Sequence, residues 1–277
     1  MSLGLRGEIE SLIEAERLDT AAARAVIERL FDALEEGRVR AASPGDGSWV
    51  VNPWVKQGIL LAFRIGRNVR SGAADGLVFH DRDTLPLWRP RDGSEVRVVP
   101  GGSSVRRGAH VADGVVIMPP SYVNVGAFVG AGSLIDSHVL VGSCAQVGRD
   151  VHLSAAVQLG GVLEPIGTLP VIVEDGAFLG GGCGIYEGVR IGRRAVLAPG
   201  VVLSRAVALY DLPRRAVHRA GEDGSLVVPD GAVVVPGARP ATGEFAAEHG
   251  LKLHAPVIVK YRDARTDAAL ALEGALR

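Results

Sequence analysis

Aromatic residues make up only 5% of this 277-residue chain, and cysteine occurs just twice, as Cys144 and Cys183. Two cysteines cannot build a disulfide framework or a four-thiolate metal site, which sets aside small secreted scaffolds and zinc ribbons. Neither sign of charge is in excess: 30 Lys and Arg face 31 Asp and Glu, for a net charge of −1. Nothing sequence-wide therefore argues for nucleic acid or an anionic membrane surface as partner. No uncharged apolar run reaches the roughly 18 residues of a membrane span. Residues 1–10 carry Arg and Glu instead of the apolar centre of a secretory signal. The expectation is a soluble, cytoplasmic protein.

What the chain does have is glycine, 37 residues, and a 47% hydrophobic content dominated by aliphatics. An aliphatic residue recurs every six positions at Val105, Val111, Ile117, Val123, Val129, Ile135, Val141, Val147, Leu153 and Leu159. After an interruption the same spacing resumes, out of phase, at Val173, Leu179, Ile185, Ile191, Leu197, Leu203 and Leu209, with a further pair at Val228 and Val234. A period of six suits neither an α-helix nor an alternating strand; it marks a solenoid whose units bury one aliphatic each against their neighbours. Gly directly follows the aliphatic in Val129-Gly130, Val141-Gly142, Val147-Gly148, Leu159-Gly160, Leu179-Gly180 and Ile191-Gly192. That pattern matches left-handed hexapeptide β-helices, the known exception to right-handed crossovers. Such folds imply three hexads per triangular coil and trimers packed side by side.

The fold class expected is mainly β: a left-handed parallel β-helix with an N-terminal α-helical domain and a short C-terminal strand and helix. Leu5, Ile9, Leu12 and Ile13 share one helical face, and after Asp19-Thr20, a cap, Ala23, Val26, Ile27, Leu30, Phe31 and Leu34 continue it. These predict helices over 4–17 and 20–36. The cluster at 43–47 predicts a turn, 48–51 a short strand, and Asn52-Pro53 a cap opening a third helix to Ile65. Residues 66–92 read as a loop-rich connector. The domain division expected is 1–96 for the helical part and connector, 97–240 for the β-helix and 241–277 for the C-terminal strand (256–261) and helix (264–276). The β-helix would carry a loop extruded near 160–172 and an excursion near 213–226, and loops protruding from a rigid scaffold often carry function.

A hexapeptide helix alone does not fix an activity. The local words do more: Met118-Pro119-Pro120-Ser121-Tyr122-Val123-Asn124-Val125-Gly126, Val141-Gly142-Ser143-Cys144-Ala145-Gln146-Val147-Gly148, Val151-His152-Leu153-Ser154 and Gly160-Gly161-Val162-Leu163-Glu164-Pro165. With Asp46-Gly47-Ser48-Trp49-Val50, Leu60-Leu61-Ala62-Phe63-Arg64-Ile65, Arg97-Val98-Val99-Pro100 and Pro256-Val257-Ile258-Val259-Lys260, they resemble the tetrahydrodipicolinate N-succinyltransferase family over most of the chain. The resemblance implies transfer of a succinyl group from succinyl-CoA to an amine in lysine and diaminopimelate synthesis, by a cytoplasmic homotrimer. It puts a substrate-carboxylate arginine at Arg97 and a substrate-binding, catalytic aspartate at Asp136. A dicarboxylate acceptor suits a planar guanidinium that pairs two oxygens at once, and a carboxylate beside the attacking amine can orient the ammonium and take its proton.

One stretch departs from the family's pattern. Where that pattern reads Ala-Arg-Ser-Glu before an aliphatic pair and Glu-Gly-Val, this chain reads Gly181-Gly182-Cys183-Gly184 before Ile185-Tyr186-Glu187-Gly188-Val189, so the usual acidic residue falls on Gly184. The family's Ser-Gly-Gly after His-Leu is here Ser154-Ala155-Ala156. Glu187 is a candidate substitute acid or base, and Ser204 and Lys260 are candidates for holding CoA. His110, His138 and His152 invite comparison with the zinc site of hexapeptide-helix carbonic anhydrases, but their spacings of 28 and 14 do not match that pattern, so no metal is expected. Two alternatives stay open: a related N-acyltransferase with another amino-acid acceptor or with acetyl-CoA as donor, and a non-catalytic scaffold of the same fold.

Overall fold

The structure, a computed structural model, describes residues 2–72 and 78–266. Its centre is a left-handed parallel β-helix of triangular section. The first face stacks Arg97–Val98, Val116–Ile117, Leu134–Ile135, His152–Leu153, Phe178–Leu179, Val196–Leu197 and Ala232–Val235. The second stacks Ser104–Val105, Tyr122–Val123, Leu140–Val141, Gln158–Leu159, Gly184–Ile185 and Val202–Leu203. The third stacks His110–Val111, Phe128–Val129, Gln146–Val147, Ile172–Val173, Val189–Ile191 and Leu226–Val228. The second residue of each two-residue strand after Arg97–Val98 is buried in the interior. Every aliphatic of the two hexad series is at most 8% exposed and belongs to one continuous core.

Why six residues make one side of the prism can be read from the backbone. Most corners contain a residue with left-handed φ three places after the inward aliphatic, as at Gly126 (74°), Gly132 (71°), His138 (63°), Cys144 (65°), Asp150 (52°) and Ala156 (62°). The glycine directly after the aliphatic has a different cause. A Cβ on Gly142 would lie 2.3 Å from the Gly161 amide nitrogen of the coil above, so the close approach of two backbones excludes any side chain there.

Three helices form a second core against the prism. Helix α1 (Ser2–Glu14), α2 (Thr20–Glu35) and α3 (Pro53–Ile65) bury Ile9, Ile27, Leu30, Phe31, Val55 and Ile59 together with Val125 and Cys144 of the prism corner. Asp19 caps α2 as expected, accepting from the amides of Ala21 and Ala22. Asn52 opens α3 but makes no cap bond; its amide donates instead to the Arg40 carbonyl at 2.8 Å and to Ser43 Oγ at 3.1 Å. Trp49–Val51 forms the short strand expected, paired with Ala42–Pro44.

Three readings need correction. The connector contains a hairpin, Asn68–Gly72 against Val78–Arg82. Leu209 is buried, but its strand, Leu209–Asp211, does not stack on Val189–Ile191; that rung is taken by Leu226–Val228. The excursion thus starts after Leu203 and includes the hairpin of Leu209–Asp211 with Ala216–His218. Finally, Val257–Tyr261 joins the first face of the prism between Leu209–Asp211 and Ala232–Val235, with Ile258 in the core, so the C-terminal strand is part of the β-helix sheet. A short helix, α4 (Glu244–Glu248), and a hairpin of Ala238–Pro240 with Lys252–His254 precede it. The expected final helix begins at 264–266 and otherwise lies outside the described residues.

Candidate active site

Asp136 follows the inward Ile135 and so stands at the edge between the first and second faces. It is half-buried, its carboxylate accepts from the Ser137 amide at 2.7 Å, and its carbonyl accepts from Ser121 Oγ at 2.6 Å. Both bonds fix the turn and leave the second carboxylate oxygen available. The Ser121 hydroxyl also accepts from the Val139 amide at 3.1 Å, so this turn is tied to the coils on either side. Arg97 is exposed on the first strand of the same face, two rungs below the strand that precedes Asp136. At a spacing of about 4.8 Å per rung their strands are roughly 10 Å apart, and no hydrogen bond or ion pair joins the two side chains.

Glu187 and Ser204 lie at the edge between the second and third faces, one coil apart, with Glu187 exposed and Ser204 half-buried. Lys260 sits in the last strand, where its ammonium is held by the Asp263 carboxylate at 3.2 Å. The three histidines are dispersed: His110 stacks on Phe128 and bonds the Glu35 carbonyl, His152 packs edge-on against Phe178, and His138 is exposed at a corner. Among the described residues, no three His, Cys, Asp or Glu side chains are grouped to hold a metal. A cleft of about 430 Å³ between the hairpin and the first coils, lined in part by Phe79, Leu87, Arg106 and Tyr122, contains none of the sequence-predicted residues.

Two features were not foreseen. Lys56 of α3 is fully buried and donates from Nζ to the Thr168 carbonyl at 2.6 Å, tying the extruded loop to the helical domain. Burial pushes its pKa below the usual lysine range. The second is the ring of Tyr186, which lies over Gly160 and Gly184 on the second face. A pair of glycines at outward positions 24 residues apart was a readable signal for the second; nothing local marked Lys56.

Comparison with known proteins decides the family. Residues 5–65 match the family model described as tetrahydrodipicolinate N-succinyltransferase N-terminal, and residues 170–205 match the hexapeptide repeat of succinyl-transferase. The 2,3,4,5-tetrahydropyridine-2,6-dicarboxylate N-succinyltransferase of Acinetobacter baylyi is 39% identical over 92% of this chain and 89% of its own length. The enzyme of that name from Caulobacter vibrioides is 39% identical over 99% of both chains. The chain belongs to the tetrahydrodipicolinate N-succinyltransferase family. Among solved structures, a putative 2,3,4,5-tetrahydropyridine-2-carboxylate N-succinyltransferase from Campylobacter jejuni is similar at a TM-score of 0.47 and 17% identity, over 83% of this chain and 62% of that one. In this tetrahydrodipicolinate N-succinyltransferase family member the candidate residues are spread over the first face (Arg97, Lys260), the edge after it (Asp136) and the edge between the second and third faces (Glu187, Ser204).

Proposed function

We propose that the protein transfers a succinyl group from succinyl-CoA to the amine of tetrahydrodipicolinate, the step its relatives are named for. The observation that carries this is the likeness to those relatives along 92–99% of the chain, helical domain and prism alike. In the reaction water adds across the ring C=N bond of the acceptor and opens it to an amine, whose nitrogen attacks the thioester carbonyl; the C–S bond breaks, and CoA leaves as a thiol. An alkylammonium with an ordinary pKa near 10.4 is neutral in only about one molecule in a thousand or fewer at pH 7. Asp136 would hold the ammonium and accept its proton during attack, and that proton is then available to the departing thiolate. Arg97 would pair a carboxylate of the acceptor bidentately. Holding donor and acceptor together then replaces any covalent intermediate.

A homotrimer follows from the same reading. Val116, Leu134, Phe178, Val196 and Val233 stand on the outer side of the first face, interrupted by the buried His152 between Leu134 and Phe178, and remain partly exposed in one chain. Prisms packed side by side would cover these residues and bring one chain's Asp136 edge against another's Glu187 and Ser204 edge. A cytoplasmic location accords with a CoA-dependent step, and no described helix is long and apolar enough to cross a membrane.

The absence of a side chain at Gly184 favours a second reading, in which the acceptor or the acyl donor differs. A thiol-release assay tests both: succinyl-CoA and acetyl-CoA are each paired with tetrahydrodipicolinate and with a panel of lysine-like amines. Fastest turnover with succinyl-CoA and tetrahydrodipicolinate supports the first reading. Turnover only with another pair replaces it.

A further inference from the structure

Along the edge between the second and third faces, the residues directly after the inward aliphatic are Arg106, Asn124, Gly142, Gly160, Tyr186 and Ser204. At Gly142 the neighbouring backbone forbids a side chain, as described. Gly160 and, on the outer side of the same face, Gly184 are different. Neither has a left-handed backbone, so neither is glycine for conformational reasons. A Cβ on Gly160 would lie 3.1 Å from Tyr186 Cδ1, with the nearest backbone atom, the Ile185 carbonyl oxygen, at 3.5 Å. A Cβ on Gly184 would lie 3.0, 3.1 and 3.3 Å from Tyr186 Cε2, its hydroxyl oxygen and Cζ. The two glycines form a floor on which the tyrosine ring rests.

The ring lies in the space those glycines leave, while the residue stays 40% exposed. Its hydroxyl makes no hydrogen bond to the described residues. A phenol whose donor has no partner among the described residues is free to bind a ligand. The surroundings say for what: Arg205 runs its side chain across Gly188, 3.3 Å from where a Cβ would be, and the one acid at this turn, Glu187, is exposed to solvent. Such an O–H donor, with Arg205 one coil on beside the same turn, suits a carboxylate, which an acidic side chain at 184 would repel.

We propose that Tyr186 is a carboxylate-binding residue of the acyl-transfer site, seated on Gly160 and Gly184. The inference rests on the acyl-transfer reading above, in which both the acceptor and the succinyl donor carry a carboxylate. Tyr186→Phe keeps the ring on its floor and removes only the donor. A hydrogen bond to a charged group contributes enough that its loss should raise KM about tenfold or more for one substrate, with a smaller change in kcat. A rise for succinyl-CoA but not for acetyl-CoA assigns the carboxylate to the donor; a rise for the amino-dicarboxylate, with succinyl-CoA unchanged, assigns it to the acceptor. Gly184→Ala, which displaces the ring, should raise the same KM. An active wild type whose two KM values are the same in Tyr186→Phe, or a variant that loses only thermal stability, overturns the proposal while the acyl-transfer reading stands. A wild-type protein that transfers no acyl group, and binds neither succinyl-CoA nor the amino-dicarboxylate by calorimetry, overturns both.

Discussion

Cys144 and Cys183 are the chain's two thiols, and both are inert by position. Cys144 is wholly buried at the seam with α3, and desolvation pushes its pKa up to about 12 despite the ammonium of Lys56 nearby. Cys183 points into the prism and donates to the Ala198 carbonyl at 3.2 Å, with its pKa raised to about 11, again by burial first. Since the thiolate is the reactive form, neither can serve as nucleophile near neutral pH. Ellman's reagent at pH 8 should titrate no thiol in the native protein and both after denaturation; fast native labelling of either would contradict this assignment. At this scale the sequence was informative wherever burial is set by hexad position, as for the inward Ile135 and the half-buried Asp136 after it. It was silent on Lys56, because the carbonyl it bonds is 112 residues away and on a loop.

Element-scale behaviour centres on the seam between helices and prism. His110 is lodged there, with Nδ1 2.8 Å from the Glu35 carbonyl and its ring stacked on Phe128 at 4.3 Å. Burial lowers its pKa; the Glu35 carbonyl and Asp113 oppose the shift, while Arg40 and Arg91 add to it. The folded state therefore keeps the imidazole neutral where the unfolded chain, near its ordinary pKa of about 6.5, takes up a proton. The unfolded state binds more protons as pH falls below that value, so His110 subtracts stability on acidification and ceases to do so at higher pH. His110→Phe should flatten the fall in Tm between about pH 7 and pH 5; an unchanged slope would remove His110 as the cause.

Lys56→Met should leave the helical core folded but free the loop at 160–171 from its anchor. Thermolysin cleavage near Leu163 and Leu169 should quicken severalfold, and equal rates would show that the loop is held by other contacts. Helices α1 to α3 were legible because each buries a 3.6-periodic face. The hairpin of Asn68–Gly72 and Val78–Arg82 was not, for a physical reason: its first strand is exposed throughout, so no alternation of apolar residues announces it. Leu209 misled because a correct six-residue spacing put it in the core without putting its strand on the expected rung.

For the whole molecule, the prism's outer side matters as much as its core. The outward Val116, Leu134, Phe178, Val196 and Val233 are partly exposed in one chain, and if prisms cover them by packing in threes, sedimentation should return about three times the chain mass of 28.9 kDa. Val196→Asp should shift the protein toward monomer and abolish activity together, since the candidate residues lie on separate edges. An active monomer would refute the shared site. The solenoid, its interruption and its restart were visible from spacing, and its left hand from the likeness of the aliphatic-Gly pattern to hexapeptide helices, whereas the joining of Val257–Tyr261 to the prism depends on a long-range pairing that no local pattern encodes.

The central claim, that Asp136 serves succinyl transfer to tetrahydrodipicolinate, is tested most directly by thiol release from succinyl-CoA with that acceptor, comparing the wild type with Asp136→Ala. The account predicts rapid release by the wild type and a loss of about a hundredfold or more in the variant, the usual contribution of a positioned general base. Equal rates in the two proteins, or no release by a wild type that turns over a different donor and amine, would contradict it.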